Sequence, residues 1–214
     1  MTDTRFSAQL AERTRTSHSD SEGASFMRDL MKGQGTREDY TALSVQHWFI
    51  YDALESVAET LADDPVAAPF LAPELLRREA LERDLEHLVG VGWRDEITPL
   101  PTTAAYADRI RETAAWPTGF VAHHYTRYLG DLSGGQFIAR LMKRHFGFNT
   151  RGVEFYAFDQ IDDLDAFKEN YRMLLDAAPW NDIERERMVD ETLVAYRFNS
   201  DLFTDLDRAK AEAA

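Results

Sequence analysis

The chain has 214 residues, of which 44% are hydrophobic, and it carries a formal net charge of −14 at pH 7. This length and apolar fraction predict a globular protein with a sizeable core and exclude a disordered chain. The absence of cysteine excludes disulfides, thiolate metal sites and a cysteine nucleophile. The negative charge disfavours nucleic acid and anionic membrane surfaces as partners.

The sequence shows no targeting or membrane signal. Its first 15 residues, MTDTRFSAQLAERTR, lack the apolar centre of a signal peptide. No stretch approaches the roughly 20 apolar residues of a membrane span, and the C-terminal segment FTDLDRAKAEAA is too acidic to be a tail anchor. We therefore expect a soluble cytoplasmic protein without a membrane anchor, and we also expect it to be a monomer.

Helical periodicity dominates the first half of the chain. Apolar residues recurring every three to four positions predict helices over about residues 6–18, 26–31, 36–62 and 73–88. The segment from Thr36 to Asp39, TRED, has the residue types of a capping box and predicts the start of the third helix. The sequence DDP predicts its end, and Pro73 is expected in the first turn of the fourth.

The second half is also helical. The same spacing predicts helices over about residues 102–113, 120–145, 163–176 and 182–208. The segment GVGWRDEITPLP is expected to be a loop, VEFYAF is a short ambiguous stretch with some strand character, and NDIE is expected to cap the last helix. Because no repeat, linker or shift in composition divides the chain, we expect one all-α domain over residues 1–214.

The sequence YLGDLSGGQ places Gly130, Gly134 and Gly135 inside a predicted helix, where each costs about 0.5–1 kcal/mol relative to alanine. It matches neither a phosphate-binding loop, nor a serine-hydrolase elbow, nor a membrane dimerisation motif. Two interpretations stay open. Gly130 and Gly134 share a helix face and would allow close helix packing. Alternatively, the three glycines form a kinked backbone stripe that a flat ligand approaches, bordered by Asp131 and Ser133.

A flat ligand that contains a metal needs an axial residue, and His18 is the candidate among six histidines. It ends a predicted amphipathic helix, and Glu22 follows four residues later, on the same face if the helix continues. A ligating imidazole usually donates its second N–H to a carboxylate, a carbonyl or water. His–Glu pairs at this spacing are also common on exposed helix surfaces, so the residues alone leave both interpretations open.

Five segments together resemble the heme oxygenase family. They are SHSDSEGASFM, IYDALE, AHHYTRYLGDLSGGQ, FKENYR and YRFNSDLF, in the family's order and at about its spacing. YLGDLSGGQ is the most specific of the matches, and the resemblance covers nearly the whole chain. The resemblance is greatest to the soluble bacterial members of the family. It implies a single-domain, all-α, multi-helix fold in which heme lies between a proximal helix and a kinked, glycine-rich distal helix.

The resemblance also implies roles for individual residues. His18 matches the axial ligand of the iron of heme b, and Glu22 matches its hydrogen-bonding partner. The catalytic polar network on the distal side is matched by Tyr51, Thr126, Arg127, Asp131 and Asn199. Further heme-binding positions are matched by Arg15, Tyr125, Gly130, Ser133, Gly134, Gly135, Lys168, Arg172 and Tyr196, of which Arg15, Tyr125, Lys168 and Arg172 correspond to propionate contacts. Ala11 replaces a basic residue common in the family, and Tyr196 stands where a phenylalanine is usual.

The implied activity is O2- and electron-dependent cleavage of heme at the α-meso carbon to biliverdin IXα, CO and Fe2+, for iron release, with electrons from a ferredoxin and ferredoxin reductase or a similar system. Asp131 is implied to hold the water that delivers a proton. A heme carrier without turnover is the alternative, with the same ligand and pocket but no need for Asp131. A thiaminase-type hydrolase of related fold is disfavoured by the lack of cysteine. For Arg127 and Asp131 the alternative role is an ordinary helix ion pair.

Overall fold

The computed structural model describes residues 5–213, apart from the side chains of Glu22 and Ala213. Within these residues the α-helices are α1 (Phe6–Glu22), α2 (Ser25–Met31), α3 (Arg37–Thr60), α4 (Arg78–Leu88), α5 (Trp93–Glu96), α6 (Pro101–Glu112), α7 (Pro117–His124), α8 (Gly130–Phe146), α9 (Leu164–Ala177) and α10 (Asp182–Ala213). The described residues contain no β-strand. The expectation of an all-α fold is confirmed.

Helix α7 continues into α8 through one turn of π-helix, Tyr125–Leu129. The predicted helix over residues 120–145 is therefore one long helix with an irregular turn just before Gly130. A π-turn inserts an extra residue into the helical ladder, and such turns commonly occur at functional sites. Gly147 then ends α8 in the left-handed conformation, with φ 72°, which glycine adopts without steric cost.

Helix α4 begins at Arg78, five residues later than expected. The preceding segment forms two short 3₁₀ turns, Ala68–Phe70 and Pro73–Leu75. The N-terminus of α4 is capped from another helix, because Glu55 Oε1 of α3 accepts from the backbone N–H groups of Arg77 at 2.5 Å and Arg78 at 2.8 Å. The start of α4 is thus set by a tertiary contact.

The stretch VEFYAF is not a strand but contains a 3₁₀ turn, Glu154–Tyr156. The carboxylate of Asp84, on α4, accepts from three backbone N–H groups in or just before this stretch, those of Gly152 (2.7 Å), Glu154 (2.9 Å) and Phe155 (2.8 Å). Because these N–H groups already donate to a side chain, they are not available for the hydrogen bonds of a β-sheet. The loop predicted before α6 likewise contains a helical turn, α5.

The predicted caps differ in outcome. At α3 the capping box is complete: Asp39 N donates to Thr36 Oγ1 at 3.1 Å, and Thr36 N donates to Asp39 Oδ2 at 2.8 Å. At α10 one bond of the box forms, from Glu184 N to Asn181 Oδ1 at 2.9 Å. The Glu184 carboxylate accepts instead from Trp116 Nε1 at 2.5 Å, which ties α10 to the start of α7.

Helix α10 is the central packing element, since it contacts α1, α2, α6 and α7, while α3 contacts α4 and α6. The main core between these helices is rich in fully buried aromatic and aliphatic side chains, among them Leu10, Ile50, Leu54, Ile110 and Phe120. No helix among the described residues combines the length and the apolar character needed to cross a membrane.

Candidate functional site

A cavity of about 510 Å³ opens between residues of α1, α2, α3, α8 and α10. Its volume lies within the roughly 300–1,000 Å³ of small-molecule and cofactor sites. Nine residues singled out from the sequence line it: His18, Thr126, Arg127, Gly130, Asp131, Ser133, Gly134, Tyr196 and Asn199. They are far apart in the sequence, and the fold brings these nine residues to one place.

The three glycines lie in two different environments. A Cβ atom built on Gly130 or Gly134 has no atom within 4 Å, and both residues line the cavity. A Cβ on Gly135 would lie 2.9 Å from Cδ1 of the buried Tyr156. One residue is about 100° around a helix, so Gly135 faces the protein interior while Gly134 faces the cavity.

This geometry decides between the two interpretations of the glycines. Close packing does occur, but through Gly135, which is covered by Tyr156 and does not line the cavity; its expected contact with the ligand stays a prediction. Gly130 and Gly134 leave a stretch of helix backbone without side chains at the cavity wall. A flat ligand can therefore approach this backbone closely.

A polar network from α3, the π-turn, α8 and α10 borders the glycines. The Tyr51 hydroxyl of α3 donates to the Asp131 carboxylate of α8. Arg127, in the π-turn, donates from Nη1 to Asn199 Oδ1 of α10 at 2.9 Å, and its guanidinium lies 5.2 Å from the Tyr51 ring centroid. Thr126 Oγ1 donates to a backbone carbonyl one turn earlier at 2.8 Å. Arg127 therefore joins the π-turn to α10 rather than serving as a simple surface pair with Asp131.

Burial sets the protonation of this network. It raises the pKa of Asp131 to about 6, against the opposing effects of Arg127, the Tyr51 hydrogen bond and Arg77. Burial also raises the pKa of Tyr51 well above its ordinary value. For Arg127, burial lowers the pKa, but Tyr51, Asp131 and Tyr106 raise it by more, so the guanidinium stays charged. The network thus holds a fixed cation beside a carboxyl group that titrates near neutral pH.

Two buried polar atoms next to this network, Arg127 Nε and the Tyr106 hydroxyl, have no hydrogen-bond partner among the described residues. Buried polar groups without a protein partner are the usual positions of ordered water. The surroundings of Asp131 are therefore suited to bound water.

His18 contributes an imidazole to the wall of the cavity from α1. The ring is partly buried and meets the Tyr196 ring of α10 edge-on, with centroids 5.6 Å apart. The backbone of Glu22 ends α1, so the helix does continue past His18. The side chain of Glu22 lies outside the described residues, and its pairing with His18 stays a prediction.

Four further predicted ligand contacts do not line the cavity, and each stays a prediction. Arg15, Lys168 and Arg172 form ion pairs within their own helices, with Glu12 at 3.4 Å, Asp165 at 2.8 Å and Glu169 at 3.4 Å. Tyr125 is half-buried at the π-turn; burial raises its pKa and the charge of Arg172 opposes this rise. Because these ion pairs are at least partly exposed, they are weak, and their cations can turn to an anionic group.

Sequence reasoning missed eight lining residues: Ser21, Met27, Met31, His47, Phe137, Ile138, Tyr156 and Phe203. Among them, His47 carries a titratable imidazole. Its ring centroid lies 5.1 Å from that of Phe155 and 6.4 Å from that of Tyr51. Burial, and then the charge of Arg127, lower its pKa well below the ordinary value, so a neutral imidazole stands in the wall. Its position four residues before Tyr51, on the same helix face, was the available signal.

Comparisons with known proteins agree with this geometry. The family model of heme oxygenase matches residues 4–205. Heme oxygenase 1 of the cyanobacterium Synechocystis is 38% identical over 201 residues, which cover 94% of this chain and 84% of that protein. The heme oxygenase of Rhodella violacea is 34% identical over 207 residues, covering 96% and 88%.

Solved structures give the same result. The crystal structure of the Synechocystis heme oxygenase-1 in complex with heme superimposes with a TM-score of 0.93 at 36% identity, covering 98% of this chain and 96% of that one. The structure of a heme oxygenase from Leptospira interrogans superimposes with a TM-score of 0.89 at 32% identity, covering 94% and 98%.

Proposed function

The chain belongs to the heme oxygenase family, and from this premise we propose that it cleaves heme at the α-meso carbon, using O2 and electrons, to biliverdin IXα, CO and Fe2+. The observation that carries the proposal is the side-chain-free face of Gly130 and Gly134 beside Asp131, in one cavity with His18.

The residues at the cavity fit heme. A flat macrocycle needs one wall without side chains, which Gly130 and Gly134 supply. Its apolar body needs apolar contacts, and Met27, Met31 and Phe137 line the cavity. Phe137 has 52% of its surface exposed although it is large and apolar, as expected of a residue that a ligand covers.

His18 is the residue that we propose as axial ligand of the iron of heme b. A histidine imidazole is a common iron ligand in heme proteins, and the bound iron supplies the site at which O2 is reduced. Glu22, four residues later on α1, would fix the ring by accepting the second imidazole proton. On α10, Tyr196 contacts the His18 ring edge-on and restricts its rotation.

Asp131 is the residue that we propose as positioning group for proton delivery. Its carboxyl group is fixed by Tyr51, so it can hold water without itself turning toward the ligand. With a pKa of about 6, it exchanges protons readily near neutral pH. Arg127 and Asn199 border the same space and orient water by donating and accepting hydrogen bonds.

The position of α8 would also decide which carbon reacts. Because the backbone at Gly130 and Gly134 is bare, the helix can lie against one face of the ring and leave space in only one direction. Ser133 and Asp131 border this space. We assign regioselectivity for the α-meso carbon to this steric restriction.

We propose a ferredoxin or similar reductase system as electron donor, and a cytoplasmic monomer that releases iron as the working form. An acidic donor needs cations on a protein of net charge −14. Lys143 and Arg144 are exposed on α8, two turns beyond the cavity residue Phe137. Turnover supported by a ferredoxin should slow as ionic strength rises, because salt screens such attraction; a rate independent of salt would argue against this surface.

The test compares Asp131→Ala with the unchanged protein. Asp131→Ala should bind hemin with unchanged stoichiometry, because the carboxylate is not an iron ligand. It should form biliverdin about 10²–10⁴-fold more slowly, the usual contribution of general acid–base catalysis. Normal turnover by Asp131→Ala would refute the proton-delivery role and leave the oxygenase activity standing. A protein that holds heme under reductant and O2 without change would be the carrier instead.

A further inference from the structure

A short segment, residues 152–156, links α4 to the glycine-rich helix α8. Its 3₁₀ turn, Glu154–Tyr156, contacts both helices. On the α8 side, the Tyr156 ring covers Gly135, and the side chain of Gln136 donates from Nε2 to the backbone carbonyl of Tyr156 at 2.9 Å. Two consecutive residues of α8 are thus in contact with Tyr156. We call residues 152–156 the bracing segment.

The α8 backbone at this point carries no side chain on either of two faces. Gly134 presents bare backbone to the cavity, and Gly135, about 100° further around the helix, presents bare backbone to Tyr156. A single layer of helix backbone therefore separates the Tyr156 ring from the face that the ligand approaches. Because close-packed interiors transmit strain rather than absorb it, a shift of Tyr156 moves this wall of the cavity with it.

Asp84 of α4 holds the other side of the bracing segment. It is 1% exposed; its Oδ1 accepts from the N–H groups of Gly152 and Glu154, and its Oδ2 accepts from that of Phe155. Burial raises the pKa of Asp84 to about 6, against the lowering effect of these three bonds, so at pH 8 both oxygens are acceptors. Hydrogen bonds to an ionised acceptor are roughly twice as strong as neutral ones. The carboxylate therefore fixes the backbone up to the residue before Tyr156.

The bracing segment also supports the cavity from the side of α3. The ring centroid of Phe155 lies 4.9 Å from that of Tyr51 and 5.1 Å from that of His47. The N–H group of this same phenylalanine is one of the three donors to Asp84. Loss of that hydrogen bond therefore affects two walls of the cavity, α8 through Tyr156 and α3 through Phe155.

We propose that Asp84 is a positioning residue for the regioselectivity of heme cleavage. By fixing the bracing segment it sets the place of Tyr156, and Tyr156 sets how closely α8 approaches the heme ring. The inference rests on the proposed function, because only a site that cleaves a macrocycle has a regioselectivity to lose. Asp84 does not line the cavity, so it acts through the bracing segment and not on the ligand.

Asp84→Asn removes one of the three hydrogen bonds and keeps the size of the side chain. An amide oxygen in place of Oδ1 still accepts from Gly152 and Glu154. The amide NH2 group in place of Oδ2 then faces the N–H group of Phe155, and two donors cannot bond to each other. The reversed orientation of the amide loses two bonds instead of one. The variant therefore releases the bracing segment next to Tyr156.

Leu85, the next residue of α4, offers a matched control. It is fully buried and packs with Val45 and Trp93 in a second, smaller core cluster. Leu85→Ala leaves a cavity in that cluster and destabilises the protein, but it keeps all three hydrogen bonds of Asp84. A general loosening of the fold would therefore alter the regioselectivity of Leu85→Ala as well, whereas loss of the bracing segment would not.

The experiment measures two quantities at pH 8 in the unchanged protein, Asp84→Asn and Leu85→Ala. The first is the ratio of biliverdin isomers after aerobic turnover of hemin with ascorbate, separated by chromatography. Asp84→Asn should raise the share of isomers other than IXα several-fold, and Leu85→Ala should leave the ratio unchanged. The second is hydrogen exchange of the ligand-free protein, followed by mass spectrometry. In Asp84→Asn, exchange should become faster in peptides that cover residues 152–156 and 130–137; in Leu85→Ala these two regions should stay as protected as in the unchanged protein.

Gln136→Ala decides if Asp84→Asn does not fold. It removes the hydrogen bond between α8 and Tyr156 from an exposed position, and it should raise the same isomers. An isomer ratio that stays unchanged in the folded variant would overturn the proposal, and so would an equal change in Leu85→Ala. If the unchanged protein forms no biliverdin, the proposed function fails instead, and exchange over residues 130–137 alone then decides whether Asp84 positions α8.

Discussion

Gly134→Ala is expected to stabilise the ligand-free protein and to weaken heme binding. A methyl group there meets no atom within 4 Å, so the change adds helix propensity worth about 0.5–1 kcal/mol without a clash. In a protein of this size, each kcal/mol corresponds to about 2–4 °C in Tm. The expected rise in Tm is therefore about 1–4 °C.

Gly135→Ala, one residue later in the same helix, is the matched control. It gains the same propensity, but its methyl group would lie 2.9 Å from Cδ1 of Tyr156, which is 2% exposed and has little freedom to move. Overpacking of this kind costs about 1–3 kcal/mol. The two variants should therefore shift Tm in opposite directions.

The assay is thermal unfolding of both ligand-free variants by circular dichroism, followed by hemin titration at the Soret band. Gly134→Ala should bind hemin more weakly than the unchanged protein, and Gly134→Leu should lose binding or α-meso selectivity by displacing α8 from the ring. If Gly134→Ala destabilises the protein as much as Gly135→Ala, then Gly134 does not face open space and the reasoning is refuted.

Three further predictions concern charged and ligating groups. His18→Ala should lose the iron–histidine stretch in resonance Raman spectra of the heme complex and recover a ligand from added imidazole; an unchanged stretch would exclude His18. Because burial raises the folded-state pKa of Asp131 from 3.8 to about 6, its ionisation costs stability as pH rises through this window, so Asp131→Asn should raise Tm at pH 7.5 but not at pH 4. The Glu191 carboxylate lies between Arg109 (2.7 Å) and His123 (2.8 Å). Burial raises the pKa of Glu191, but its hydrogen bonds to His123 and Arg109 lower it by more, from 4.5 to about 2. The stability that Glu191 gives the folded protein is therefore present above pH 4.5 and lost toward pH 2. Arg109 is about one third exposed and is also paired with Glu112, so Glu191→Gln should cost about 1.5–3 kcal/mol in urea unfolding at neutral pH, the usual value of hydrogen bonds to a charged group. A cost that did not shrink at low pH would contradict this account.

The helices were predictable where local signals and tertiary structure agree. The capping box at Thr36 starts α3 as expected, and periodicity located the long helix with the glycines. The start of α4 could not be found, because its cap is Glu55 from another helix. Local sequence contains no information on such a contact.

The site divides in the same way. The sequence identified the glycine-rich segment of α8. It could not show that Gly135 is covered by Tyr156 while Gly134 is open, because this depends on where the 3₁₀ turn of residues 154–156 packs. The sequence did not single out His47, which the structure places in the wall of the cavity. Side chains that line a cavity from a distant helix are fixed by packing, which a single sequence does not report.

Aerobic single turnover of the hemin complex tests the central claim most directly. The protein loaded with one equivalent of hemin is mixed with ascorbate or with reduced ferredoxin, and the absorbance is followed while released CO is trapped. The account predicts decay of the Soret band, the broad absorbance of biliverdin, mainly the IXα isomer by chromatography, and release of CO. A Soret band that persists under reductant and O2, with neither biliverdin nor CO, would contradict it.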